Sequence, residues 1–173
     1  MFFPMILNTA RLTLRPQAMG DAPALFAILG DPEAMRFWNR PAISRLAVVE
    51  EILREQQAAM DDGVCRYWTV LEDGDAIGSV DLSLIEDRSA ELGFLLRPGR
   101  WSHGFATEAA AAVIAHAFGP LELKRLAAAV QAGNFAAIRV LEKTGFARVD
   151  VRFGIAMAGG MRADCAFYAL DRG

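Results

Sequence analysis

The second half of the sequence contains a strand–helix–strand unit, and this unit most restricts the folds available to the chain. Residues 91–96 are strand-like and end at Pro98-Gly99, residues 106–118 form an Ala-rich helical segment, and residues 125–130 form a second strand. A helical crossover returns the chain to the same end of the sheet, so the two strands that it joins lie parallel. The sequence therefore predicts a sheet with at least one parallel pair.

The other strand-like segments are separated by short turns, which favour antiparallel neighbours. They are residues 11–15, 64–72, 76–86, 90–97, 146–153 and 162–170. The turn Asp73-Gly74-Asp75 between the second and third of these is typical of a hairpin. The predicted sheet is therefore mixed but mostly antiparallel, with about six to seven strands.

Residues that commonly cap helices precede three further helical segments. We expect Asp21 to cap residues 22–29, Ser44 to cap a helix that reaches about residue 60, and Asn134 to cap a helix that ends at Gly145. Strands and helices together predict an α+β fold with helices on both faces of the sheet. The length of 173 residues fits a single domain over residues 1–173, with a core of about residues 9–170.

Composition excludes several classes of protein. The chain has 18 basic and 21 acidic side chains, a net charge of -3, and no basic run of the kind that binds nucleic acid. Mean hydropathy is +0.24, yet no apolar stretch approaches the ~20 residues that span a bilayer. Two cysteines and two histidines are too few for a disulfide framework or a metal cluster. We expect a cytoplasmic protein without metal, nucleic-acid partner or membrane contact.

The loop of residues 101–108 (WSHGFATE) lies where the strand 91–96 leads into the helix 106–118. The first N–H groups of a helix have no partner within it, and small residues such as Gly104 and Ala106 let a ligand approach the backbone. The helix dipole favours negative charge there, which is typical of a phosphate or pyrophosphate site. Taken alone, the single glycine is also compatible with a simple strand-to-helix turn that holds no ligand.

Four segments, in order along the chain, carry a resemblance to a known family. They are residues 10–16 (ARLTLRP), 91–94 (ELGF), 101–108 (WSHGFATE) and 134–146 (NFAAIRVLEKTGF). Together they closely resemble the GNAT superfamily of acetyl-CoA-dependent N-acetyltransferases, and within it the RimJ/RimL type, the ribosomal-protein N-terminal acetyltransferases. The resemblance covers about residues 9–170. It implies a GNAT fold in which a splayed pair of parallel strands holds CoA.

The resemblance also implies where CoA, supplied as acetyl-CoA, is bound. Loop amides would hold the pyrophosphate, the exposed backbone of strand 94–96 would pair with pantetheine, and Asn134 would lie near the thioester. Arg139 would meet the ribose phosphate. The alternatives are an ordinary helix cap for Asn134 and a solvated surface charge for Arg139. The residues expected to bind CoA are Phe94, Leu95, Leu96, Trp101, His103, Gly104, Phe105, Ala106, Thr107, Asn134 and Arg139.

The catalytic groups depart from the pattern of the family. Many relatives carry Ser where this chain has Ala137, and others carry Tyr as a general acid where it has Leu141. Glu91, at the start of the CoA-binding strand, is our first candidate for the general base, and Asp81 on the neighbouring strand is the second. Each would also fit a surface carboxylate. The expected catalytic residues are Glu91, Asp81 and Asn134.

The acceptor pocket is expected to come from the first half of the chain. Trp38, in a predicted loop, is the residue there that is least easily explained as core, and we expect it to contact the acceptor together with Glu91. Further candidate walls, each of which would also fit the core, are Phe26, Met35, Phe37 and Trp68.

We expect direct transfer of an acetyl group to a primary amine, with a protein N-terminal α-amine as the first choice. An α-amine, with a pKa near 8, is far more often neutral at pH 7 than a lysine near 10.4, so a weak base suffices. The second hypothesis is a small-molecule acceptor, such as a polyamine, an amino acid or an antibiotic. The third is a non-catalytic CoA-binding module, motivated by Ala137 and Leu141. A monomer and a homodimer are both compatible with the sequence.

Overall fold

The computed structural model describes residues 5–173, which form eight strands in one sheet and four α-helices. The strands are β1 (Leu7–Asn8), β2 (Leu12–Pro16), β3 (Arg66–Glu72), β4 (Asp75–Glu86), β5 (Ser89–Leu96), β6 (Arg125–Gln131), β7 (Ala147–Ala156) and β8 (Arg162–Asp171). The helices are α1 (Ala22–Leu29), α2 (Leu46–Asp61), α3 (Phe105–Phe118) and α4 (Phe135–Lys143). The predicted α+β class is confirmed. The sheet has one strand more than expected because the two-residue β1 pairs with β2 at its edge.

The strands follow the order β1-β2-β3-β4-β5-β6-β8-β7 across the sheet. Within residues 5–173, β5 and β6 are the one parallel pair, and α3 is the crossover between them. All other neighbouring strands pair antiparallel. The strand–helix–strand prediction is therefore confirmed. No helix of the described chain has the length and apolar composition needed to cross a bilayer.

Helices cover both faces of the sheet, as expected. Alternate residues of β4 and β5, such as Val80 and Leu92, point to one face and join the main core with α3. Leu95 points to the other face, where it packs with Ile28 of α1 and with Met35. α2 packs on α1 on this second face through a separate small apolar cluster. The second face is therefore the less completely filled one, and it carries the cleft described below.

Two capping predictions need correction. α2 begins at Leu46 with Arg45 in the N-cap position, so Ser44 does not cap it. Asp21 does precede α1, but its carboxylate accepts hydrogen bonds from Arg15, from the N–H of Ala18 and from the buried hydroxyl of Thr69. Although burial raises the pKa of Asp21, these hydrogen bonds outweigh it and lower the pKa below its ordinary value. With these partners, the carboxylate of Asp21 makes no capping hydrogen bond to the first N–H groups of α1.

Candidate active site

β5 and β6 separate after a short stretch of pairing. Their ladder runs from Ser89↔Arg125 to Glu91↔Ala127, so the strands diverge toward their carboxyl ends. A cleft of about 720 Å³ opens there and extends beneath α1 and α2, a volume typical of small-molecule sites. The expected splayed pair is confirmed. The β4–β5 ladder stays in register from Ser83↔Glu91 to Gly78↔Leu96, so β5 remains paired with β4 where it leaves β6.

A row of polar side chains on β4 forms the floor of this cleft. Ser79, Asp81 and Ser83 line it, while the intervening residues point into the core. On β5, Glu91 lies opposite Ser83 and Gly93 lies opposite Asp81. A Cβ atom at position 93 would lie 2.6 Å from Oδ1 of Asp81, so a side chain there would displace this carboxylate. Both predicted bases, Asp81 and Glu91, therefore lie in the cleft on adjacent strands.

The two carboxylates differ in environment. The pKa of Asp81 is raised to about 7, mainly by burial; a hydrogen bond with Ser83 lowers it, and the nearby charge of Glu91 makes a smaller contribution that raises it. Glu91 is exposed at the mouth of the cleft. A carboxylate that titrates near neutral pH in a cleft can take up a proton from a substrate, as a general base must. Asp81 fits this description, whereas Glu91 is exposed to solvent; the catalytic role of each stays a prediction.

Tyr67 is a cleft residue that sequence reasoning missed. It lies on β3 directly opposite Asp81 and lines the same cavity. Burial, and to a lesser degree the charges of Asp81 and Cys65, raises the pKa of Tyr67 to about 12. The phenol therefore keeps its proton at neutral pH and is available as a hydrogen-bond donor beside the carboxylate. The alternation of polar and apolar residues over 79–83 would have indicated the polar face of β4, but nothing comparable marks Tyr67.

The loop before α3 has the backbone geometry of an anion site. Ser102 (φ 64) and Gly104 (φ 81) both adopt left-handed conformations, which curl the chain. Gly104 occupies the N-cap position of α3, and the first N–H groups, from Phe105 to Thr107, have no partner within the helix. Successive N–H groups arranged in this way form a concavity that accepts anions. The residues present thus fit the pyrophosphate of CoA.

Side chains of the loop attach it to the rest of the protein. The indole N–H of Trp101 donates to the carbonyl of Leu96 over 2.8 Å, which joins the loop to the end of β5. The ring of His103 stacks on that of Phe105 with 5.8 Å between centroids. Phe105 is buried in the core, whereas Trp101 and His103 are exposed. The CoA contacts predicted for these residues are backbone contacts and stay predictions, as do those of the half-buried Ala106 and Thr107.

The end of β5 and α4 form the wall of the cleft where the resemblance implies that CoA binds. Phe94 and Leu95 line the cavity, and beyond Glu91 the edge of β5 that faces β6 no longer pairs with it. Leu96 is buried in the core behind them. The contacts of these three strand residues with pantetheine stay predictions.

Asn134 caps α4, since its Oδ1 accepts a hydrogen bond from the N–H of Ala137 over 3.1 Å, and it also lines the cleft. The capping interpretation of Asn134 is thus confirmed, while its catalytic role stays a prediction. Ala137 and the fully buried Leu141 line the same wall, which is apolar where many relatives carry Ser and Tyr. Arg139 is exposed on α4 and is not among the residues that line the cleft, so its contact with CoA also stays a prediction.

The segment around Trp38 forms another wall of the cleft, and its predicted contact with the acceptor stays a prediction. Phe37, Trp38 and Asn39 line the cavity. The carbonyl of Trp38 accepts a hydrogen bond from Nε2 of Gln131 at the end of β6 over 3.2 Å. The carbonyl of Asn39 accepts one from the N–H of Ala158, between β7 and β8, over 3.0 Å. These two hydrogen bonds hold the segment against the sheet.

The other predicted walls mostly belong to the core. Trp68 has no exposed surface and lies on the α3 face, where its ring meets that of His116 edge-on at 5.8 Å. Trp68 is therefore not a wall of the cleft, because the alternation along β3 places it on the opposite face from Tyr67. Met35 is buried, and Phe26 packs against the small cluster of α1 and α2.

Comparison with known proteins assigns the family. The sequence pattern described as the acetyltransferase (GNAT) domain matches residues 11–147, most of the chain. The chain belongs to the GNAT family. The uncharacterized N-acetyltransferase YoaA of Bacillus subtilis is 28% identical over 172 residues, which cover 97% of each chain. GNAT membership makes this protein an acyltransferase that uses acetyl-CoA and acetylates an amine.

Solved structures of other GNAT proteins share the fold. One is RimL, the ribosomal L7/L12 alpha-N-protein acetyltransferase, in complex with coenzyme A. It is 16% identical to this chain, the match covers 96% of this chain and 97% of RimL, and the TM-score is 0.89. Another is the spermidine N-acetyltransferase of Vibrio cholerae in complex with CoA and spermine. It is 22% identical, the match covers 94% of this chain and 96% of that enzyme, and the TM-score is 0.83. At these identities the likeness extends to the fold alone. The two acceptors named, a protein α-amine and a polyamine, differ, so the fold does not select between them.

Proposed function

We propose that this GNAT enzyme acetylates the α-amine of a protein or peptide N-terminus, with Asp81 as the general base. One observation carries the proposal: Asp81 lies on the floor of the cleft, beside the point where β5 and β6 separate, with its pKa raised to about 7. An amine must lose a proton before or during attack on the thioester carbonyl. Asp81 supplies an acceptor for that proton at neutral pH.

The pKa of Asp81 supports an α-amine in preference to a lysine or polyamine. Proton transfer from an α-ammonium group, with a pKa of about 8, to a carboxylate near 7 is unfavourable by only about tenfold. From an ammonium group near 10.4 the same transfer is unfavourable by about 2,500-fold. The apolar wall at Ala137 and Leu141 is compatible with this chemistry, because a thiolate leaves readily without a dedicated acid.

Most of the remaining rate acceleration would come from holding the acceptor amine and the thioester in a reactive orientation. The cleft would hold the two reactants in one orientation. Backbone N–H groups on the unpaired edge of β5, from Gly93 to Leu96, would donate to the thioester oxygen as its negative charge develops. The segment of Phe37, Trp38 and Asn39 would then hold the acceptor over Asp81.

A small cationic amine is the second candidate acceptor. The observation that favours it is the acidic pair of Asp81 and Glu91 in one cleft. Such a pair would attract a polyamine, although the attraction between exposed charges is weakened by salt. This candidate predicts a strong loss of turnover at high ionic strength, which an N-terminal peptide acceptor does not.

The test is release of CoA against a panel of acceptors at pH 7. Peptides with free N-termini should turn over faster than the same peptides with blocked N-termini and an internal lysine, and faster than spermidine. A preference for spermidine would contradict the α-amine assignment. CoA binding without turnover on any acceptor would favour the non-catalytic module.

Variants of the two carboxylates test the assignment of the base. Asp81→Asn should lower kcat by about 100-fold or more, the usual contribution of a general base, and should remove the rise of kcat/KM with pH near 7. Glu91→Gln should keep that rise but move it to lower pH, because Glu91 raises the pKa of Asp81. A parental pH profile in Asp81→Asn would show that another group takes the proton.

A further inference from the structure

Glu108 presents a difficulty at the CoA loop. It lies in the first turn of α3, directly after the N–H groups expected to meet the pyrophosphate, and its own N–H bonds to the carbonyl of Gly104. A carboxylate in the first turn of a helix interacts favourably with the helix dipole. Here it occupies the place of highest attraction for an anionic ligand, so an uncompensated charge on Glu108 would repel that ligand.

Glu108 is ionised and heavily hydrogen-bonded. Its Oε1 accepts from the hydroxyl of Thr9 over 2.6 Å and from the backbone N–H of Arg11 over 2.9 Å. Its Oε2 accepts from Nε of Arg11 over 2.8 Å and pairs with Nη2 of Arg11 over 2.7 Å. Burial raises the pKa of Glu108, but the hydrogen bonds from Thr9 and Arg11 outweigh it and leave the pKa below its ordinary value. The carboxylate is therefore charged at neutral pH.

Arg11 also contacts the loop itself. Its Nη1 donates to the carbonyl of His103 over 3.0 Å. Its guanidinium lies 4.4 Å above the ring of Phe105, and its Nη2 would be 3.4 Å from a Cβ atom placed on Gly104. One side chain, about half exposed, thus contacts His103 and Phe105 of the loop as well as Glu108 and lies close to Gly104.

We propose that Arg11 is a positioning residue for the CoA pyrophosphate loop: it neutralises Glu108 and fixes the carbonyl of His103, so that the N–H groups at the start of α3 are free to bind an anion. The proposal rests on the proposed function of this loop. Holding the His103 carbonyl on the Arg11 side keeps that oxygen from turning toward the ligand. Neutralising Glu108 leaves the positive end of α3 uncancelled.

The arrangement requires arginine. Nε and Nη2 contact Oε2 of Glu108 and Nη1 contacts the carbonyl of His103, while the flat face of the group rests on Phe105. A lysine ammonium is a single point of positive charge, so it could pair with Glu108 or meet the carbonyl of His103 but not hold both in this geometry. Arg11→Lys should therefore show an intermediate loss of CoA affinity.

The experiment is calorimetric titration of CoA into the folded variants, with circular dichroism and thermal unfolding as checks on folding. Arg11→Met should weaken CoA binding by about 10- to 100-fold, the usual effect of losing charge-assisted hydrogen bonds. Arg11→Met combined with Glu108→Gln should bind CoA clearly more tightly than Arg11→Met but less tightly than the parent, because the repelling charge is gone while the carbonyl of His103 is still not held. Arg54→Met, which removes an exposed charge from α2 on the other face of the sheet, is the matched control and should bind CoA like the parent.

The rescue separates the proposal from a merely structural role. If Arg11 only stabilised the fold, removing Glu108 as well would not improve CoA affinity over Arg11→Met, and the proposal would be overturned. Parental affinity in Arg11→Met would overturn it too. Glu108→Gln alone keeps Arg11 on His103 and should bind CoA at least as tightly as the parent; clearly weaker binding would contradict neutralisation even if Arg11→Met failed to fold. Absence of CoA binding by the parent would instead remove the proposed function of the loop.

Discussion

Replacing Asp81 by asparagine should stabilise the folded protein at alkaline pH much more than at acidic pH. Folding raises the pKa of Asp81 from 3.8 to about 7, so the folded state holds this proton more tightly than the unfolded chain does. The parent therefore loses stability as pH rises through this range, and the loss is complete above the folded-state pKa. Asparagine resembles the protonated acid at every pH, so the free energy of unfolding of the variant does not fall with pH for this reason.

The size of the effect follows from the pKa. A rise from 3.8 to about 7 corresponds to about 4 kcal/mol in total, of which about 3 kcal/mol falls between pH 4.5 and 8.5. Water in the open cleft screens the charge, so we expect the advantage of Asp81→Asn to grow by about 1 to 2 kcal/mol over that interval. The sign is the stronger part of the prediction, because desolvation is the largest cause of the raised pKa.

Urea unfolding at pH 4.5 and pH 8.5 measures this difference directly and needs no knowledge of the acceptor. Glu91→Gln is the matched control, since it removes an exposed carboxylate from the same cleft and should change the pH dependence less. A difference between Asp81→Asn and the parent that is equal at the two pH values would refute the reasoning. So would a variant that is less stable than the parent at pH 8.5.

Two further variants test the ends of the cleft. Gly104→Glu should weaken CoA binding by at least about 100-fold, because it puts a side chain at φ 81 and a negative charge beside the pyrophosphate loop. Calorimetry measures the loss, with Gly104→Ala as the control for backbone strain alone; unchanged affinity in Gly104→Glu would exclude the loop as the site. Gln131→Ala removes the 3.2 Å hydrogen bond to the carbonyl of Trp38 and should raise KM for the acceptor severalfold without changing CoA affinity. Steady-state kinetics with each substrate varied measures this, and a parental acceptor KM would show that the bond does not position Trp38.

The order of strands was predictable where local pattern determines it. Strands that are joined by a short turn, or by one helical crossover, are consecutive in the sequence, so their pairing can be predicted from local pattern. The β3–β4 hairpin and the parallel β5–β6 pair are both confirmed. Helix starts were less predictable, because a capping side chain has competitors. Asp21 precedes a helix as expected, yet the longer-range partners Arg15 and Thr69 take its carboxylate. Nothing near Asp21 in the sequence identifies Thr69, which lies 48 residues away.

The candidate site was predictable in its backbone parts and less so in its side chains. Loop amides and a strand edge depend on local conformation, which Gly104 and the helix that follows already indicate. Burial decides which carboxylate has the raised pKa, and burial depends on how α1 and α2 pack over β4. Glu91 ranked first in the sequence because it opens the CoA strand, but it is exposed in the fold. The sequence placed Arg11 in the first predicted strand but could not predict its ion pair with Glu108, which is 97 residues away.

The two walls of the cleft divide the chemistry between them. The polar groups of Asp81, Ser83 and Tyr67 lie on the β3–β4 side, with Asp81 as the proton acceptor among them, whereas Ala137 and Leu141 make the α4 side apolar. Under the proposed function, the amine must lose a proton on the first side and a thiolate departs on the second. A thiol with a pKa of about 8.5 is stable enough as a thiolate to leave unassisted near neutral pH, while an ammonium group cannot attack at all until it is deprotonated. A base therefore contributes more to this reaction than an acid does, which agrees with a cleft that lacks the family tyrosine yet contains a half-buried carboxylate.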